Sequence, residues 1–84
     1  MTIQDVFTRC VELGDFPEVV SMAPIKGASS RRGKVTVIKD NGTYKGIAVR
    51  FEGMNYDKWF WDDMYSSDQR TLYMRQLRFV VQDE

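Results

Sequence analysis

The sequence contains no histidine and a single cysteine, Cys10, among its 84 residues. Without histidine the chain lacks the usual general base at neutral pH, the common partner of a nucleophilic serine or cysteine, and the ligand of most zinc sites. A lone cysteine excludes an intramolecular disulfide and, with no histidine to activate it, is expected to be a small core residue. The sequence therefore predicts neither an enzyme nor a bound metal or other cofactor.

Long apolar runs are also missing, and no stretch approaches the roughly 18 residues of a membrane-spanning helix. The first residues include Asp5 and lack the basic start of a secretory signal, so we expect no membrane association and a cytoplasmic location. Hydrophobic residues still make up 43% of the chain, and eleven residues are aromatic. This content argues against disorder and predicts a single domain over residues 1–84 with one compact core.

The first fourteen residues have the pattern of an amphipathic helix. Thr2 and Asp5 have the spacing of a capping box, and Gly14 is a typical residue at a helix end. Between them, apolar residues recur at intervals of three and four: Ile3, Val6, Phe7, Cys10 and Val11. The sequence therefore predicts a helix within residues 1–14 whose apolar side packs on the rest of the domain.

Residues 18–81 are expected to be rich in β-strands. The runs 34–39 and 45–50 flank Asp40-Asn41-Gly42, a strong hairpin signal because Asn-Gly tolerates the positive φ angles of a tight turn. Shorter strands are predicted at 18–22, 58–61 and 77–81, with a mobile polar loop at 26–33 and a helical turn within 67–75. This order resembles that of SH3-like barrels, which have a helical turn just before the last strand. The predicted fold is α+β, with the helix packed on a small, strongly bent antiparallel sheet or an SH3-like barrel of four to five strands.

A formal net charge of zero hides an uneven distribution. Seven basic residues and one acid fall between Lys26 and Arg50, so this stretch carries +6, while residues 1–25 and 51–84 each sum to −3. Strand alternation predicts Val35 and Val37 on one face of the hairpin and the charged positions on the other. The candidate binding residues are the basic side chains of the loop and hairpin, with the tyrosine near its tip: Arg31, Arg32, Lys34, Lys39, Tyr44, Lys45 and Arg50.

Three interpretations of this basic surface remain open. It is typical of a solvated or internally ion-paired face, of contact with nucleic-acid phosphates, and of contact with a protein partner. The neutral total favours a protein partner over nucleic acid, since dedicated nucleic-acid-binding domains usually carry a clear basic excess.

Trp59-Phe60-Trp61 is a second candidate surface. Strand geometry predicts the two tryptophans on one side and Phe60 on the other. Either the tryptophans are buried beneath the N-terminal helix, or they form an exposed platform bordered by acids: Glu52, Asp57, Asp62 and Asp63. Such a platform suits a basic protein surface, on a face opposite in sign to the basic one. The candidate protein-binding residues here are Trp59, Trp61, Asp62 and Asp63; the adjacent acids point to opposite sides of a strand and predict no metal site.

The hairpin also resembles a known family. Gly42-Thr43-Tyr44-Lys45-Gly46 is similar to the Gly-x-x-Lys-Gly core of KOW motifs, and residues 33–38 are similar to the leading strand of that motif. The partial match covers residues 33–51 and departs at two places: Gly42 follows Ile38 by four residues rather than two, and Ile47-Ala48-Val49 replaces the following Gly-x-Val. KOW motifs occur in SH3-like domains of ribosomal proteins and transcription elongation factors. The resemblance implies contact of Lys45 and its hairpin with RNA, RNA polymerase or ribosomal components.

Together these patterns predict a small non-catalytic binding or regulatory protein. We expect it to dock on a protein or nucleoprotein partner through its cationic loop and hairpin, in the style of a bacteriophage accessory or inhibitor protein. The alternative is an autonomous RNA- or DNA-binding module of the SH3-like, KOW-like kind. A structural subunit that self-associates through edge strands is a third hypothesis.

Overall fold

The computed structural model describes residues 1–62 and 72–80, which form one helix and a curled five-stranded antiparallel sheet. The helix and a 3-10 turn lie at Ile3–Leu13 (α1) and Met74–Gln76. The strands are Glu18–Ser21 (β1), Arg32–Asp40 (β2), Lys45–Phe51 (β3), Lys58–Trp61 (β4) and Leu77–Phe79 (β5). Their order across the sheet is β4-β3-β2-β1-β5, which makes a half-barrel and confirms the predicted α+β fold.

Helix α1 begins and ends where its sequence signals predict. The Thr2 hydroxyl accepts a hydrogen bond from the Asp5 backbone N–H (3.3 Å), and the Thr2 N–H donates to the Asp5 carboxylate (2.8 Å). Ile3 and Val6 enter the core, but Phe7 and Val11 are 38% and 84% exposed. The helix therefore packs through a narrower apolar stripe than its sequence pattern predicts.

The β2–β3 hairpin is confirmed, with residues 41–44 as the connection. Lys39 lies opposite Gly46, and Lys34 lies opposite Arg50. At the tip Gly42 has φ 89°, a conformation that glycine adopts without steric strain. The tip is further fixed by the Tyr44 N–H, which donates to the Asn41 side-chain oxygen at 2.7 Å.

The polar loop is shorter than predicted, because β2 already begins at Arg32. Gly33 was expected to end the loop, but it lies inside the sheet, between Val19 of β1 and Phe51 of β3. A Cβ atom on Gly33 would lie 2.7 Å from the Arg50 carbonyl oxygen. This glycine therefore allows neighbouring strands to approach closely and does not mark a turn.

Strict alternation is also wrong for one part of β2. The pairing shifts between Val35 and Val37, so that Val35 lies opposite Val49 and Val37 lies opposite Ala48. Such a β-bulge reverses the side on which the following residues lie. As a result Val35 is buried, whereas Val37 is 42% exposed on the other face.

The core lies on one side of the curled sheet. It is closed by Ile3 and Val6 of α1 and by Ile25, Met54 and Met74 from the connections. Within it the rings of Phe51 and Phe60 pack edge to face, with their centroids 5.8 Å apart. In the described part of the chain no helix has the length and apolar content needed to cross a membrane.

Candidate functional site

The strand register places the tryptophans on the same side of the sheet as the basic residues. Trp61 lies opposite Gly46, which in turn lies opposite Lys39, and Trp59 lies opposite Ala48. We call this side, away from the core, the outer face. Its basic members are Arg32, Lys34, Lys39, Arg50 and Arg78.

The expectation of two faces of opposite sign is therefore wrong. The alternative with both tryptophans buried beneath the helix is also wrong, because Phe60 is the residue of this run that enters the core. Trp59 is 37% exposed on the outer face. The physical reason is the β3–β4 register, in which Phe60 lies opposite the buried Ile47 and so turns its two neighbours outward.

Three aromatic side chains form a row on this surface. The rings of Trp59 and Trp61 stack with centroids 5.5 Å apart and planes 17° from parallel. Tyr44, from the hairpin tip, meets Trp61 in a T-shaped contact, with centroids 6.4 Å apart. We call Tyr44, Trp61 and Trp59 the aromatic row.

The aromatic row rests on two small residues of β3. A Cβ atom on Gly46 would lie 2.7 Å from Cε3 of Trp61, and Ala48, opposite Trp59, is fully buried. Larger residues at these positions would lift the rings away from the sheet. Sequence reasoning missed Gly46 and Ala48, although small residues at alternating strand positions are a signal that something packs closely on that face.

Two acids next to the outer face are engaged by its basic residues, whereas Glu18, on the face itself opposite Lys34, forms no ion pair within residues 1–62 and 72–80. Lys34 Nζ lies 2.9 Å from Asp15 Oδ2, and Arg50 Nε lies 3.0 Å from Asp57 Oδ1. The second oxygen of Asp57 accepts a hydrogen bond from the Thr36 hydroxyl at 3.0 Å. The carboxylate just before β4 is thus compensated and does not make the tryptophan surface acidic.

Other basic groups on the outer face are available to bind an anionic partner. Across residues 1–62 and 72–80, the side chains of Arg32 and Lys39 form no ion pair or hydrogen bond. Arg50 contacts Asp57 through Nε, and its two terminal nitrogens form no hydrogen bond or ion pair within the same residues. The outer face therefore carries available positive charge beside the aromatic row, because its five basic residues outnumber the acids on or next to it, Asp15, Asp57 and Glu18, the last of which lies opposite Lys34.

Several sequence-predicted residues lie elsewhere. Lys45 shares its strand phase with the buried Ile47 and Val49, so it lies toward the core side at the start of β3. Arg31 belongs to the loop, where it donates to the Met22 carbonyl oxygen at 3.3 Å. Asp62 follows β4, and its backbone N–H donates to the Lys45 carbonyl oxygen, whereas Asp63 lies outside the described residues.

The single cysteine of the chain, Cys10, lies in α1 and not on the outer face. Burial, and to a smaller extent the nearby charge of Asp15, raises the pKa of the Cys10 thiol, which disfavours a reactive thiolate at neutral pH. Cys10 is half-buried and packs against the core, as expected for a structural residue. Among the described residues no group of three histidine, cysteine, aspartate or glutamate side chains is placed to hold a metal ion.

The ion pair between Lys34 and Asp15 gives a testable pH effect. The hydrogen bond from Lys34, followed by one from the Phe16 N–H, lowers the pKa of Asp15. Because the folded-state pKa is lowered, the pair stabilises the fold above the ordinary pKa of aspartate, and this is lost as the pH falls through the lowered value. We expect Lys34→Met to raise the pKa of Asp15, measured by carboxyl ¹³C NMR. Lys26→Met, an exposed lysine of the loop, should leave it unchanged, and a constant Asp15 pKa in Lys34→Met would contradict the pair.

Comparison of the chain with protein-family models found no match, and comparisons with curated proteins and with solved structures found none either. The outer face is the feature of the described structure on which a function can be proposed. It combines a fixed aromatic row with available cations, an arrangement suited to binding an anionic partner that presents flat or apolar groups.

Proposed function

We propose that this protein is a small non-catalytic, cytoplasmic binding or regulatory protein that docks on a nucleoprotein partner through the outer face of its sheet. The observation that carries the proposal is the presence of the aromatic row and the basic residues on one face. Cations attract phosphates over a distance, while exposed aromatic side chains supply contact area and account for much of the affinity of binding surfaces.

The charge balance favours an anionic partner over a basic protein surface. Asp57, the acid closest in sequence to Trp59, is held by Arg50 and Thr36. Glu52 lies in the turn after β3, where its N–H donates to the Arg32 carbonyl oxygen, so it does not border the tryptophans. A neutral chain with one basic face is suited to a partner that offers phosphates at one place and protein at another.

Affinity capture from the native cell, followed by mass spectrometry and nucleic-acid staining, tests this function. We expect the wild-type protein to recover a nucleoprotein, and Lys39→Glu/Trp59→Ala to recover at least about tenfold less, since charge and contact area are both removed. The matched control is Lys26→Glu/Phe7→Ala, which reverses a loop charge and truncates a ring 38% exposed on α1. Undiminished recovery by the outer-face variant would contradict the proposal.

An autonomous RNA- or DNA-binding module of the SH3-like, KOW-like kind is the second candidate. It is supported by the strand order β4-β3-β2-β1-β5, with a 3-10 turn immediately before β5. The position of Lys45 toward the core side of β3 weakens the transfer of the KOW lysine to this chain. Nuclease treatment of the captured material separates the two candidates, because an autonomous module would then lose its partners, whereas a protein-docked regulator would keep some.

A further inference from the structure

We propose that the outer face binds single-stranded nucleic acid, with one unpaired base stacking on Trp59 at the end of the aromatic row where the rings are nearly parallel. The inference rests on the proposed function and names the ligand class of the same surface. Its basis is the geometry of the three rings and the state of the charges around them.

The two ends of the aromatic row differ in geometry, since Trp59 stacks on Trp61 nearly in parallel, whereas Tyr44 at the other end meets Trp61 edge-on. Trp61 lies between Trp59, which stacks on it, and Tyr44, which meets it at 72°. Trp59 contacts no other ring in the described residues and remains 37% exposed. A nucleobase is a flat π-system of similar kind, so it can extend the stack at Trp59 without requiring a particular sequence.

The row favours an unpaired base over a duplex. In a double helix both faces of each internal base are covered by its neighbours, so a base must leave the stack before it can meet a tryptophan. The tryptophans of the row already pack on Gly46 and Ala48 in the free protein. Binding therefore costs little side-chain entropy. Preorganised stacking surfaces with nearby cations are how proteins commonly hold single strands.

Available cations flank the row on the neighbouring strands. Lys39 lies one strand beyond Gly46 in the cross-strand line that contains Trp61. With strands about 4.8 Å apart, its backbone is about 10 Å from that of Trp61, so it supplies a cation for a phosphate of the bound strand at the Trp61 end of the row. On the Trp59 side, Arg50 presents its two terminal nitrogens beside the compensated carboxylate of Asp57.

A protein partner would use the same surface differently. An acidic or apolar protein segment would contact the aromatic row and the cations. An outer face that serves such a segment would have no reason to bind single strands more tightly than duplexes. The ligand class can therefore be decided with purified protein and defined polyanions.

Fluorescence anisotropy with a labelled oligodeoxythymidylate of ~12 nucleotides measures the binding directly. We expect the single strand to bind at least about tenfold more tightly than a duplex of the same length, and polyphosphate to compete poorly because it has no bases. Trp59→Ala should weaken binding by about tenfold, while Trp59→Phe should retain most of it. Phe7→Ala, which truncates a ring of matched exposure on α1, should bind like the wild type.

The outcomes separate this inference from the proposed function. Equal affinity for single strand and duplex, or wild-type binding by a Trp59→Ala variant with native circular dichroism, would overturn the inference. If capture of the nucleoprotein requires the outer face and yet no oligonucleotide binds, the contact is with protein; the inference then fails and the proposed function stands. If capture does not require the outer face, the proposed function itself fails.

Discussion

Replacing Phe60 with alanine is expected to destabilise the protein by about 4 kcal/mol, whereas Trp59→Ala beside it should cost about 1 kcal/mol. Phe60 is fully buried, and its ring packs edge to face on Phe51, so truncation leaves a cavity in the core. Trp59 lies on the outer face and loses a stack with Trp61 that is partly exposed to solvent. The larger side chain is therefore the one whose loss is better tolerated.

Urea unfolding followed by circular dichroism measures both changes. Because a chain of this size has a total stability of about 4 to 13 kcal/mol, Phe60→Ala is expected to be partly unfolded at 25 °C. Phe60→Leu keeps most of the volume and should cost about 1 kcal/mol, which provides a variant with a complete unfolding curve. A greater loss for Trp59→Ala than for Phe60→Ala would mean that β4 presents its other side to the core, and the outer face would not exist as described.

The parts of the fold that were predictable from sequence depend on neighbouring residues. The capping box of Thr2 and Asp5 and the hairpin at Asn41-Gly42 each specify their local backbone within four residues. Local hydrogen bonds and φ preferences act regardless of what lies across the sheet. Such signals therefore located α1 and the β2–β3 connection correctly.

The sequence predictions were wrong where the position of a residue depends on the neighbouring strand. In the sequence Gly33 has the features of a loop residue. Its place in the sheet follows only from the packing of β1 and β3 on either side of it. Val37 belongs to the outer face only because the pairing of β2 with β3 shifts after Val35. Neither the close approach nor the bulge leaves a local pattern, since both result from packing between strands distant in sequence.

The candidate site was likewise predictable only in part from the sequence. Residue type and spacing were enough to select Lys39, Arg50 and the two tryptophans as binding candidates. Their common face follows from the β2–β3 and β3–β4 registers, which composition does not encode. The counterion Asp15 lies 19 positions before Lys34, so its compensating role could not be found from the local charge pattern.

Arg50→Gln and Asp57→Asn are expected to change single-strand binding in opposite directions. Arg50→Gln removes the two available guanidinium nitrogens and leaves Asp57 with a hydrogen bond from Thr36 alone, so a negative charge remains near Trp59. We expect an affinity loss of about tenfold or more, and a salt dependence reduced by about 0.7 in the log–log slope for the lost phosphate contact. Asp57→Asn removes that charge and releases Nε of Arg50, which should tighten binding by about threefold.

The double variant and a matched ion pair test whether charge compensation is the cause. Arg50→Gln/Asp57→Asn should bind more tightly than Arg50→Gln alone, because the uncompensated carboxylate is then absent. The control is Arg9→Gln/Glu12→Gln, which removes a 2.9 Å ion pair on α1 and should leave oligonucleotide anisotropy titrations unchanged. If Asp57→Asn weakened binding as much as Arg50→Gln, the ion pair would act structurally, by holding β3 in position next to the residues before β4. The positive surplus of the outer face would then depend on Lys39 and Arg32, and Asp57 would hold the sheet in shape without controlling its charge.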